Sequence, residues 1–464
     1  LLLGGSGLDA FVGAGDVGLA LSDVNIGLAL LTESSPAAGT TARKWTSVEA
    51  EVGSAGLVGI DGLTAQVEEL SVSINRAAVD TSVVDYSLKD GSTTVRKTDL
   101  TILTGPSSDM ALTMDGSRGA LLEANGRLVL DVFGFVQAEG EFAIEKASAL
   151  ETITLSNAST TQAEVLRLGA HDLRAFAGIN GGSDDAIGLE LTGVDFALAL
   201  VSEKPATGST TQPRSWTSLQ ATAESAAFVG VDGLTAQADT IAITVNKAST
   251  DGLVVDYSLK TEGGTERKTA MTVRTGISEE SAITFDMDGA EGNLLRASAN
   301  LELDMFGFFQ VSGGFAIEKK TAEVVLNDGV VSEVEAEANA PTELSVDLLT
   351  IGGSGVDAFA GMNGGTADAI GLQLSDVEFG LALMTEQVEE GSTAAARKFT
   401  TLKANADEIS FVGVDGITAS ATDLSVEINR GIAGAAGAAD VVVDFGYRQL
   451  EVLSGPESTI VLDS

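Results

Sequence analysis

Carboxylates are the residues of this sequence whose spacing invites chemistry. Asp286-Met287-Asp288-Gly289 places two of them on a bend, and Asp184-Asp185 places two side by side. A hard cation such as Ca²⁺ collects six to eight oxygens, so Asp286, Asp288, Asp184 and Asp185 are the candidate cation ligands and Ca²⁺ the one cofactor the residues suggest. The matching stretch Thr113-Met114-Asp115-Gly116 lacks one carboxylate, and the sequence contains no complete EF-hand loop and no calcium nonapeptide array. Asp61, Asp232 and Asp415 each stand between an apolar residue and glycine. That is turn chemistry: Asp bonds its own backbone and Gly takes the positive φ. The single histidine, His171, has Ser6 and Ser354 as counterparts and reads as a surface residue, which leaves no support for a Ser-His-Asp or His-metal site. Among 67 acidic residues, carboxylate pairs arise by number alone, and no phosphate-binding Gly-x-x-x-x-Gly-Lys-Ser/Thr occurs. The expectation is a chain that is not an enzyme.

The elements that would carry these residues are strands. Leu189-Glu190-Leu191, Phe196 to Leu200, Ile241 to Val245 and Leu301 to Asp304 alternate apolar and polar positions, the pattern of half-buried strands. Read this way the strands are short, about five to eight residues, and are punctuated by Asp-Gly, Asn-Gly, Gly-Gly and Ser-Gly turns. Helical periodicity is weak: Leu121 to Ala124 and Val331 to Ala338 read equally well as strand. The Ser/Thr/Ala/Gly-rich insertions at 32–43, 202–214 and 385–396 are surface loops, and Gly431 to Ala439 reads as a flexible one. Trp45, Trp216 and Phe399 follow the three insertions in register, as core or loop anchors.

Self-similarity organises the whole chain. Gly4-Gly5-Ser6-Gly7-Leu8-Asp9-Ala10-Phe11-Val12-Gly13 returns as Gly352 to Gly361, and its Phe-x-Gly ending as Phe176-Ala177-Gly178. Val58-Gly59-Ile60-Asp61-Gly62 returns at Val229 and Val412, and Phe133-Gly134-Phe135 with Phe142 to Lys146 returns as Phe306-Gly307-Phe308 with Phe315 to Lys319. The copies are 1–165, 166–348 and 349–464, the last incomplete, which predicts a window onto a longer array. Many short strands in tandem fit a β-solenoid, parallel β-helix-like, with loop insertions; the alternative is a string of β-sandwich domains. No Pro/Gly/Ser-rich joint separates the copies, which favours the solenoid.

With 26 basic against 67 acidic residues the net charge is -41, which repels nucleic acid and anionic lipid surfaces across most of the molecule and attracts divalent cations. The 464 residues include no cysteine, so disulfides, Cys-ligated zinc and thiol nucleophiles are excluded. No apolar stretch approaches the roughly 20 residues of a membrane-crossing helix, so no membrane span is expected.

The repeated units Phe228 to Leu234 and Phe306-Gly307-Phe308 running to Lys319 resemble those of giant repetitive secreted bacterial surface proteins, the adhesin-like filament proteins. The resemblance implies secretion, a bacterial cell-surface or extracellular location, and self-association into filaments or adhesion. The expected function is a structural segment of such a fibre. An adhesin binding glycans through its repeated loops is the alternative, and a polysaccharide-active enzyme ranks behind both.

Overall fold

Two-residue alternation produces strands almost everywhere, and the protein is all-β, with most strands in a long antiparallel sheet. A computed structural model describes the chain apart from residues 38, 206–211, 262–263, 328–341, 389–394, 433–440 and 464. The segments Val331–Ala338, much of Gly431–Ala439 and the middles of the loops at 202–214 and 385–396 therefore lie outside the described residues.

In chain order the strands are β1 (Leu2–Ala14), β2 (Val17–Thr32), β3 (Lys44–Val58), β4 (Leu63–Arg76), β5 (Thr101–Leu103), β6 (Asp109–Ala111), β7 (Leu121–Val132), β8 (Val136–Ala147), β9 (Glu151–Thr154), β10 (Thr160–Ile179), β11 (Ile187–Glu203), β12 (Ser215–Val229), β13 (Leu234–Lys247), β14 (Thr272–Arg274), β15 (Ala282–Thr284), β16 (Leu294–Met305), β17 (Phe309–Asn327), β18 (Glu343–Met362), β19 (Ile370–Glu386), β20 (Lys398–Val412), β21 (Ala419–Ile432), β22 (Val442–Val443), β23 (Leu450–Leu453) and β24 (Thr459–Leu462). Two compact units divide the chain: Leu1–Gln220 with Val255–Asp286, and Ala221–Val254 with Met287–Ser464. In the first, neighbours run β1, β2, β3, β4, β7, β8, β10, β11. In the second they run β13, β16, β17, β18, β19, β20, β21.

The all-β class agrees with the alternation, but the strands do not form the expected parallel β-helix-like solenoid. Each of these pairings is antiparallel; at one end the strands are joined by short hairpin turns such as Ala14 to Val17, whereas a parallel pair needs a crossover of a dozen or more residues. Strand length also differs from expectation: the principal strands run 12 to 20 residues. A row of β-bulges explains the misreading. Gly7, Asp23, Glu69, Asp172 and Gly193 in the first unit, and Thr240, Gly355, Asp376 and Asp423 in the second, have positive φ in mid-strand. Each inserts a residue and reverses the phase of the alternation. In β11 the apolar positions are Ile187, Leu189 and Leu191 before Gly193, then Val194, Phe196, Leu198 and Leu200 after it, so one long strand imitates two short ones.

One face of each sheet carries its core. The chain between β4 and β7 folds back as a cap whose Tyr86, Ile102, Leu112 and Met114 pack on Ala29, Leu121 and Ala147. In the third copy Phe445, Val452, Ile460 and Leu462 pack likewise on Val346, Leu348, Ala382 and Met384. Glycines make room: a methyl on Gly4 would stand 2.3 Å from the Leu103 carbonyl oxygen, and one on Gly352 2.1 Å from that of Leu453. Buried hydroxyls fix the first cap, as Tyr86 donates to Ser47 Oγ at 2.9 Å, Ser47 to Asn75 Oδ1 at 3.2 Å and Asn75 Nδ2 to the Val84 carbonyl at 2.7 Å.

The Phe-x-Gly motif has a physical cause on the same face, away from the caps. Gly178 and Gly188 are cross-strand partners, and the Phe176 ring lies over both, as Phe359 lies over Gly361. A β-carbon on Gly178 would meet the Ile187 carbonyl oxygen at 2.1 Å, so Gly178→Ala must spread the hairpin. We expect that substitution to cost about 1–3 kcal/mol, read as a lower urea midpoint together with faster hydrogen exchange of the Ala177 to Leu189 amides.

Candidate functional site

Of the four predicted cation ligands, Asp286 and Asp288 accept side-chain hydrogen bonds, while Asp184 and Asp185 lie in an exposed turn. Asp288 caps the 3₁₀ turn Gly289–Glu291 by accepting from Ala290 N at 2.9 Å, as Asp115 accepts from Ser117 N at 2.8 Å. Asp286 accepts from Gln220 Nε2 at 2.6 Å. Asp184 and Asp185 are exposed in the turn between β10 and β11, where the Asp185 carbonyl accepts from Asn180 Nδ2 at 3.3 Å. No cluster of three or more His, Asp or Glu side chains that could hold a metal occurs among the described residues.

The most repeated charged device is a clamp at the foot of each inserted loop. Glu33 binds Arg43, Glu203 binds Arg214 and Glu386 binds Arg397, each glutamate closing one end of the loop and each arginine the other. At the second clamp Arg214 Nη2 donates to Glu203 Oε1 at 2.6 Å, while its Nε and backbone N–H reach Oε2 at 2.9 and 3.1 Å. The guanidinium lies 5.2 Å from the ring centre of Trp216, as that of Arg43 does over Trp45, so the aromatic anchors loop and arginine together. In the third copy Phe399, itself buried, takes the tryptophan's place. The Arg214 side-chain hydrogen bond lowers the Glu203 carboxyl to about 2, against the opposing effect of burial, with the Thr161 hydroxyl and the Arg214 backbone N–H assisting. Arg43 and Arg397 hold Glu33 and Glu386 below the ordinary range in the same way.

Inside the first cap, burial pushes the Asp85 carboxyl up, but the Ser87 hydroxyl and N–H, Gly116 N–H and Lys97 outweigh it and keep the group strongly acidic. His171 is half-exposed, and its Nδ1 lies 2.7 Å from Asp195 Oδ1, which also accepts from Asp172 N at the bulge. Its counterparts do different work: Ser6 and Ser354 donate to the Thr104 and Ser454 carbonyls and so hold the cap hairpins. The cap hairpin of the second copy is held instead by Glu141 of the first, which accepts from Ile277 N at 2.8 Å.

Two open grooves of about 400 and 420 Å³ occupy equivalent positions in different copies. One is lined by Asp304, Gln310 and Phe359, the other by Asp131, Gln137 and Phe176. In both, the aspartate accepts from the glutamine amide, at 2.7 and 2.8 Å, and from a glycine N–H at the turn. The phenylalanines are only 8% exposed, so they floor the grooves without offering a stacking face.

No family model and no curated protein matches the chain. Among solved structures, the siderophore receptor PirA from Pseudomonas aeruginosa aligns over 94% of this chain and 78% of its own, at 8% identity and a TM-score of 0.17.

The clamp fixes a pH dependence. Glu203 binds its proton less readily folded than unfolded, so its contribution is complete above the ordinary carboxylate value of 4.5 and is lost as pH falls from there through about 2. At neutral pH Glu203→Gln should destabilise the chain by about 1 kcal/mol. The difference in thermal midpoint between parent and variant should close on acidification across that window.

Proposed function

We propose that this chain is a structural, non-catalytic segment of an extracellular or cell-surface filament. One observation carries the reading: successive copies are joined by main-chain ladders. Strand β8 of the first copy pairs with β10 of the second from Lys146↔Leu166 to Val136↔Ala177. Strand β17 of the second copy pairs with the third-copy part of β18 from Lys319↔Leu349 to Phe309↔Ala360. Each added copy therefore extends a sheet, and stability accumulates from nearest-neighbour contacts, as in other repeat proteins. The acidic residues keep neighbouring assemblies apart, or let Ca²⁺ or another divalent cation bridge them.

The clamped loops and equivalent grooves support a second reading, adhesion, in which weak glycan contacts gain avidity by repetition. The same material tests both. Electron microscopy of the native protein with millimolar Ca²⁺ and after chelation should show uniform filaments, and their dispersal by the chelator would make cations the lateral bridges. Discrete particles under both conditions would refute the filament. Retention on a glycan array that is lost when the groove is altered by Gln310→Ala would then favour adhesion.

A further inference from the structure

Among the described residues, nothing covers the sheet face opposite the caps in either unit. Strand by strand it is apolar over nearly its full length, since the bulges keep the apolar positions on one side. In the first unit β2 turns Leu19, Leu21, Val24, Ile26 and Leu28 to this face, each paired with an apolar residue or glycine of β1. In the second unit β16 turns Leu295, Ala297, Leu301, Leu303 and Met305 to it. These side chains stand open: Leu19 and Leu57 are 44% exposed, Leu295 46% and Leu372 44%. So large an apolar surface requires a partner.

Charge at one border identifies it. The apolar run ends at Lys44, Arg76 and Lys146 in the first unit and at Lys247, Lys319, Lys398 and Arg430 in the second, all directed to this face by the strand register. All seven are exposed, and none appears among the ion pairs of the described residues, although acidic residues outnumber basic ones 67 to 26. Strands β10, β17 and β18 continue beyond this border, and the carboxylates that they add to the face have partners of their own: Glu164 has Lys204 at 2.9 Å, Asp347 has Gln387 at 2.8 Å, and Glu343 and Glu323 have Arg448 at 2.7 and 4.0 Å. The opposite border is made of short turns with exposed Phe133, Phe135, Phe306 and Phe308 and the acidic turn residues Asp61, Asp232 and Asp415.

We infer that this face docks on a lipid bilayer, with its apolar band against the acyl chains and its cationic border among anionic headgroups. The dimensions agree. The β11 run Ile187 to Leu200, at about 3.3 Å per residue, is roughly 45 Å long, and at a tilt of about 45° it matches a hydrocarbon core of about 30 Å. No helix among the described residues is long and apolar enough to cross a membrane, which is a separate matter from contact through strands. The inference does not depend on filament formation.

Flotation of the full chain with phosphatidylcholine vesicles, with and without phosphatidylglycerol, tests it. The chain should rise with the anionic vesicles, in a manner weakened by salt. The variant Lys44→Glu/Arg76→Glu/Lys146→Glu/Lys319→Glu changes only exposed side chains and should keep the parent's circular dichroism. Its partition should fall by about fivefold or more per cation removed. A parent chain that stays at the bottom of both gradients overturns the inference. So does equal flotation of parent and variant, or a lipid-free oligomer whose formation abolishes vesicle binding. Filaments in the microscope decide none of these outcomes, so the two readings fail separately.

Discussion

Everything in this fold depends on keeping long strands in phase. A strand has a side-chain period of two, so any added residue exchanges its faces. Here many of the long strands add one at mid-height; where a neighbour changes phase at the same level the pairing runs through, and where it does not, as between β4 and β7 or β8 and β10, the register shifts at the bulge. At Asp23 in β2 and Asp376 in β19, the register with the next strand resumes at Val24↔Val52 and Val377↔Ala406. The side chain opposite the bulge is recruited to hold it: Asn25 accepts from Gly7 N, and Asp195 from Asp172 N. The caps, the Phe-covered glycine pairs and the uncovered apolar face all follow from this conserved phase.

Much of this was legible in the sequence, and the failures have one cause. Alternation announced strands, and the Phe-x-Gly and Asp-Gly landmarks located the turns. Strand length was misread because a bulge looks like an ending: the shift from Leu189-Leu191 to Val194-Phe196 across Gly193 shows the phase change and could have revealed it. Parallel stacking was inferred from the repeats, although the two- to seven-residue turns at one end of the strands already required hairpins. The Glu-Arg clamps were missed because ten or eleven residues separate the partners. A signal was present nonetheless, since each aromatic anchor is preceded two residues earlier by arginine. Asp286 and Asp288, read as a pair of cation ligands, each accept a hydrogen bond through Oδ1, from Gln220 Nε2 and from Ala290 N.

Net charge proved a poor guide to where charge lies. The total of -41 suggests a uniformly acidic body, yet the arginines form clamps on one face and unpaired lysines and arginines line the other. Within the caps and clamps several cations are placed against carboxylates, as with Arg167 between Glu145 and Glu151. An average over the chain hides this division, because burial and register are properties of single positions.

The ladder joining one copy to the next has a mechanical consequence. Tension applied in the direction in which copies add acts across the strands, so it opens hydrogen-bonded pairs one after another in place of shearing a whole ladder at once. Each hairpin that opens releases its own strands as slack while the backbone through its turn remains continuous. A body built this way would yield in small steps, dissipating load as it lengthens, and could close again hairpin by hairpin once the load was removed.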